Sequence, residues 1–444
     1  MELAGGIVQR ALEAGATDAE CLLVEGEEFS ASVRLCELER LKQAGSRAAG
    51  LRVLIGQRSG SSYSSDLSPA GLQRMVDSAV AAARITSEDP HAGLPRPQEL
   101  GARSDDLQLY HQDVAALAAQ EKIELARRCE RAALDLDPRI SNSEGAAFGS
   151  SWRRQVLANS RGFQGEYKTS SCSLYAVPVA QADGQMQRDF WYTISHSLAG
   201  LDPPESVGRQ AAQRALRRLG AVKVPTARVP VVFEPRTARA LLQNIFDAVN
   251  GDAIYRQASF LAGKLGQTVA APEVTIVDDG TMPAGFGTSP FDDEGAPTRR
   301  TPVIENGILH SYLLNTYTAR KLGLQTTGNA SRGLTGNPGI GPGNFYLQPG
   351  SHRPDQILAS VEEGLYVTEL IGFGVNLVTG DYSQGAVGLW IRHGQPVFPV
   401  HEVTVAGNLS QMLRDIEMIG SDLEFRGPIA SPTLKIREMT VGGI

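Results

Sequence analysis

The segment "PVFPVHEVTVAG", residues 396–407, sets His401 beside Glu402. In a zinc peptidase such a pair would supply a metal ligand and a general base. That site needs a second histidine about one helical turn away, so that both rings reach one metal. Four residues on stands Val405, and no two of the seven histidines (His91, His111, His196, His310, His352, His393, His401) are closer than eight residues. The segment alternates instead: Val397, Pro399, His401, Val403 and Val405 share one face of a strand, and Phe398, Val400, Glu402 and Thr404 share the other. On that pattern His401 and Glu402 point apart. The spacing predicts a strand histidine satisfied by one or two hydrogen bonds.

Two acid clusters remain, Asp278–Asp279 in "VDDG" and Asp292–Asp293–Glu294 in "SPFDDEGAPT". Adjacent acids can do general acid–base work when one raises the pKa of the other. The first cluster reads as a strand running into a turn. The second lies in a long polar loop. Three neighbouring acids are costly to bury unpaired, so this loop is expected to face substrate or a partner chain. "GVNLVTGDYSQGAVGLWI" mixes glycine with β-formers, which suits either internal barrel bends or a strand edge that another backbone can approach. Its Asn376, Asp381 and Ser383 join Asp292, Asp293 and Glu294 as candidate substrate or partner contacts.

Other chemistries lack their residues. "LAGKLGQ" has neither the spacing nor the hydroxyl of a phosphate loop, and "DYSQG" and "NASRG" lack the first glycine of a nucleophile elbow. "NPGIGPGN" leads into "FYLQPG" and not into a helix, so it reads as a structural or lining loop. Cys21, Cys36, Cys129 and Cys172 form no CxxC pair. With no apolar leader or spanning stretch, a reduced cytoplasm is the expected setting. The net charge of -7 gives no basic footprint for nucleic acid.

The elements that must position these residues read as α+β. Three regions are expected: an N-terminal helix-and-sheet region over 1–100, a middle α+β region over 101–226, and a large β-rich domain over 227–444. "GGIVQRALEAG" and "SPAGLQRMVDSAVAAAR" read as helices, the second with Ser68 as N-cap and Pro69 in its first turn. "AECLLVEG" and "FSASVRLCE" read as two strands, and one helix is expected over about 113–134.

The strings "GTSPFDDEGAPTRRTPVIENGILHSYLLNTYTARKLGLQTTGNASRG" and "GFGVNLVTGDYSQGAVGLWIRHGQPVFPVHEVTVAGNLSQMLRDIEMIGSDLEF", with the terminal "SPTLKIREMTVGG", strongly resemble the TldD/PmbA family, once labelled modulators of DNA gyrase. The resemblance implies a three-part α+β fold and a two-subunit peptidase acting on unfolded or extended peptides, including microcin precursors and antitoxins. In that family, TldD-type chains carry a zinc-binding HExxxH helix and a cysteine ligand near the C-terminus; PmbA chains, also called TldE, lack both. The comparable helix here, "RTARALLQNIFDAVNGD", offers Gln243, Asn244 and Asp247 and no histidine, and no cysteine follows Cys172. The resemblance therefore implies the PmbA branch: no catalytic or metal residue in this chain, zinc only in a TldD-type partner, a heterodimer in function and a homodimer in isolation. Two rival readings stay open, a free-standing peptide-binding homodimer and a metal-independent hydrolase using Asp292, Asp293 or Glu294.

Overall fold

In the computed structural model, which describes residues 1–443, the first half of the chain is organised by four long strands. These are β1 (Asp18–Arg34), β2 (Glu37–Ile55), β4 (Ile140–Asn159) and β5 (Gln164–Ala182). The shorter β3 (Arg58–Ser64), β6 (Gln185–Arg188) and β7 (Trp191–Ser195) complete an antiparallel sheet of order β3-β2-β1-β4-β5-β6, with β7 also on β5. Strands from before and after the proline-rich segment near residue 95 thus share one sheet. The two strands expected around Gly26 are one continuous β1, because Gly26 keeps a partner on each side, Ser46 and Arg153.

Alternation decides what each face of this sheet meets. Cys21, Phe29, Ala31 and Val33 of β1, with Phe148 and Leu174, are buried beneath helices. Those are α1 (Glu2–Glu13) and α2 (Pro69–Ile85) at one end, and α4 (Ala119–Leu134) and α5 (Pro204–Leu216) at the other. The Ser68 hydroxyl accepts from Gly71 N–H and so caps α2, and Pro69 stands in its first turn. The single helix expected over 113–134 is broken. A short α3 (Gln112–Ala116) ends at the extended Leu117, and α4 restarts where the Glu121 carboxylate accepts from Ala118 N–H. On the opposite face, Leu22, Leu157 and Phe163 pack against Phe291 of the C-terminal region. That apolar cover lies at the end of the sheet nearest α1 and α2; at β7 the C-terminal region returns through Arg426, whose guanidinium lies over the Trp191 and Tyr192 rings.

The C-terminal region holds a closed barrel. Ala227–Phe233, Leu434–Gly442, Gln395–Asn408, Asp381–Arg392 and Glu363–Ile371 pair in that order, and the last returns to the first. Beside it lies a five-stranded sheet centred on Ile276–Asp279. Helix α6 (Pro235–Val249) packs between the two, burying Leu241, Leu242, Ile245, Phe246 and Val249.

Closure corrects the idea of a free edge in "GVNLVTGDYSQGAVGLWI": the Asp381–Arg392 strand is paired on both sides, so no peptide can add to it. The His401 strand also departs from strict alternation. Ala386 opposes Val403 while Gly388 opposes Val400, which leaves one extra residue in the His401–Glu402 stretch, and Glu402 has φ 51. The bulge puts Val400, Val403 and Val405 in the core, leaving His401 half-buried and Glu402 exposed. His401 therefore does not share the inward face with Val403 and Val405 as the pattern predicted.

Candidate functional site

A cavity of about 300 Å³ opens where the C-terminal region stops covering the long sheet. Its floor comes from alternation on two paired strands. Arg153 lies opposite Thr169 and Gln155 opposite Tyr167, and all four line the cavity. One wall is the 286–293 loop. The other is built from Gly328–Ser331 and Gly341–Gly343, where the Gly339–Ile340 stretch pairs with Ala330–Ser331. The "NPGIGPGN" segment is thus a lining loop. Its glycines are needed for approach: a Cβ on Gly287 would stand 1.5 Å from the Gly343 carbonyl oxygen, so no side chain fits between the two walls.

The acid loop borders this cavity but turns much of its charge inward. Asp292 is buried and accepts from the N–H groups of Glu294 (3.0 Å), Ala296 (2.9 Å) and Ala330 (3.0 Å). Asp293 accepts from Gln155 Nε2 at 2.6 Å and Arg332 N–H at 2.8 Å, tying the loop to β4. Glu294, also buried, accepts from Thr316 N–H at 2.9 Å. Burial raises the pKa of both Asp292 and Glu294, with the Glu294 charge adding to the effect at Asp292. Of the three acids expected to face substrate or a partner chain, Asp292 and Glu294 chiefly hold loops through backbone N–H groups, and only Asp292 and Asp293 line the cavity.

Behind the glycine wall, Asp278 is buried with its carboxyl pushed up to about 7 by loss of solvent. Its Oδ2 accepts from Asn329 Nδ2 at 2.7 Å, while Oδ1 has no partner. His196, on the sheet side, stacks on Phe286 with centroids 5.0 Å apart, and its Nδ1 lies 2.6 Å from the Ser170 carbonyl oxygen. Beneath the loop, Arg52 and Arg332 approach the buried Glu20 at 2.6 and 3.2 Å, joining the sheet to the C-terminal region by buried charge.

The remaining sequence candidates lie apart from the cavity lining. Asn376 pairs with Asp381 in a short hairpin at the barrel end, where Asn376 Oδ1 accepts from Val378 N–H and Thr379 donates to Asp381. Ser383 N–H donates to the Gly374 carbonyl at 2.6 Å. Glu402 pairs with Lys223 at 2.6 Å, and His401 donates its backbone N–H to the Val222 carbonyl; its ring makes no hydrogen bond among the described residues. On α6, Gln243 donates to Asp247 (3.0 Å) and Asn244 to the Ala240 carbonyl (3.0 Å). This is not a donor set for zinc: two amides and one carboxylate, engaged with each other or with the helix. Among the described residues no group of three His, Cys, Asp or Glu side chains converges as a metal site.

Sequence reasoning overlooked Arg153, Tyr167, Thr169 and Asn329. The signal was present in "SWRRQV" and "EYKTSSCS", where polar residues recur at every second position on two strands.

Three family models match the chain in succession: PmbA/TldA metallopeptidase domain 1 over residues 19–83, the central domain over 113–219 and the C-terminal domain over 226–443. The sequence is 38% identical over 433 residues to the metalloprotease PmbA of Escherichia coli O157:H7, covering 97% of this chain and 94% of that protein. A metalloprotease TldD homolog of Haemophilus influenzae is 26% identical over 429 residues, covering 89% and 87%. The fold matches a candidate modulator of DNA gyrase from Bacteroides thetaiotaomicron with a TM-score of 0.93 at 28% identity, covering 100% of this chain and 98% of that one. It also matches TldE of Thermococcus kodakarensis with a TM-score of 0.90 at 21% identity, over 99% and 100% of the two chains. The chain belongs to the PmbA/TldD metallopeptidase family.

Proposed function

We propose that this chain is the non-catalytic, PmbA/TldE-type subunit of a two-chain cytoplasmic metallopeptidase that cleaves unfolded or extended peptides. The observation that carries the reading is α6. The helix comparable to the family's zinc helix offers Gln243, Asn244 and Asp247 and no histidine, and these three bond to each other or to the backbone. A TldD-type partner would supply zinc and the activated water. This chain would supply shape, and positioning alone can lower a barrier by several kcal/mol. Paired with itself by a two-fold axis it would be an idle form.

The acids near the cavity favour one rival, a hydrolase that works without metal. Their geometry speaks against it, because Asp292 is saturated by backbone donors and Asp278 sits behind the glycine wall. Elemental analysis tests the assignment. The dialysed chain alone should hold no stoichiometric zinc, and the complex with a TldD-type chain should hold about one zinc per pair. Tightly held zinc in this chain alone would defeat it.

A further inference from the structure

On the face of the long sheet that carries the cavity, the stretch around Gly149 between the Phe291 cover and Arg426 leads into the cavity. On the open face Ser30 of β1 stands opposite Gly149 of β4, which stands opposite Ser173 of β5. In neighbouring rows Ser32 projects from β1, and Ser151 lies opposite Ser171. Apart from the exposed Ser30, these positions are half-buried, whereas Phe148, Cys172 and Leu174 on the other face are buried beneath helices. Between Tyr175 and the Lys42-paired Glu28, both exposed on the same face, these small side chains leave a shallow floor on which an extended chain can lie.

The floor runs into the cavity at Arg153, which is exposed at the cavity's mouth opposite Thr169. The next residue, Arg154, points to the other face and is paired with Glu166 at 2.6 Å and Glu25 at 3.7 Å. Arg153 has no carboxylate within 4.0 Å among the described residues. The acids that share the cavity, Asp292 and Asp293, are already occupied by backbone N–H groups and by Gln155. The mouth therefore presents one cation engaged in no ion pair, with Phe286 and Tyr167 as apolar surface behind it.

We propose that the serine–glycine floor and this cavity form a docking groove for an extended peptide, in which Arg153 selects a carboxylate. The guanidinium offers a planar fork matched to a carboxylate, and such charge-assisted pairs are the stronger hydrogen bonds. The carboxylate comes from an aspartate or glutamate side chain or from the peptide's own C-terminus. The inference rests on the peptide-handling role proposed above and adds a specificity determinant to it.

Fluorescence anisotropy on this chain alone tests it at low salt, with labelled eight-residue peptides rich in glycine, serine and alanine. One carries a single glutamate and an amidated C-terminus, a second has glutamine in its place, and a third is the glutamine peptide with a free C-terminus. The glutamate or the free-acid peptide should bind about tenfold more tightly than the neutral one, and the pair that shows the gain identifies the source of the carboxylate. Arg153→Gln should bring all three to the neutral level and leave the neutral peptide unchanged. Ser151→Trp should weaken all three while circular dichroism stays as in the parent. Equal binding of the three peptides, or a preference that survives Arg153→Gln, overturns the Arg153 assignment and leaves peptide binding intact. Unchanged binding by a folded Ser151→Trp variant overturns the floor, and failure of every peptide to bind the parent chain overturns the groove and the peptide-handling role together.

Discussion

Asp278 shows how a single side chain near the cavity sets a pH dependence. Its carboxyl titrates near 3.8 when solvated and is pushed up to about 7 in the fold, because burial opposes the charge more than Asn329 stabilises it. Between those values the folded chain holds a proton that the unfolded chain has released. The folded state binds more protons, so this group's contribution to stability falls as pH rises from about 4 to about 7 and stays lost above that. Asp278→Asn keeps an acceptor for Asn329 and never ionises. The variant should therefore melt close to the parent below pH 4 and several degrees higher at pH 8. Calorimetric melting at the two pH values checks the sign, and a variant that loses stability more steeply than the parent with rising pH would contradict it.

At the scale of elements, the bulge in the Gln395–Asn408 strand replaces the metal motif that His401 and Glu402 suggest. One extra residue lets Val400, Val403 and Val405 fill the barrel while His401 turns to the rim and Glu402 meets Lys223. With no ring hydrogen bond to lose, His401→Ala should change stability by only about 0.5 kcal/mol and leave peptide cleavage by the assembled enzyme intact. Chemical denaturation and the cleavage assay together check this; lost cleavage at unchanged stability would restore His401 as a functional residue. The same strand shows what the sequence discloses. Its existence, its β-character and the absence of a second histidine could be read from alternation and spacing. The bulge could not, because an inserted residue is a property of the pairing with Ala386–Gly388 and leaves no local mark. The strand edge imagined in "GVNLVTGDYSQGAVGLWI" failed for the same reason: the Asp381–Arg392 strand is flanked by Glu363–Ile371 and Gln395–Asn408, and which strands pair is not written in the strand itself. The N-cap at Ser68, by contrast, rests on local chemistry and was legible. The acid loop lay in between, since three adjacent acids announce a demand for partners but not whether backbone N–H groups will meet it.

The molecule as a whole presents two parts joined across the cavity. The helix-backed sheet and the barrel-bearing region meet through Leu22, Leu157, Phe163 and Phe291, through the Glu20–Arg52–Arg332 charges, and through Gln155 on Asp293. This joint fixes the cavity, while α6 carries amides and a carboxylate engaged with one another or with the helix. On the proposed function, this chain would contribute substrate shape and its partner bond cleavage. The most direct test is a time course of cleavage of an unfolded peptide by this chain alone, by a TldD-type chain alone, and by the two mixed, each with and without a zinc chelator. The account predicts cleavage by the mixture only, abolished by the chelator; chelator-resistant cleavage by this chain on its own would contradict it.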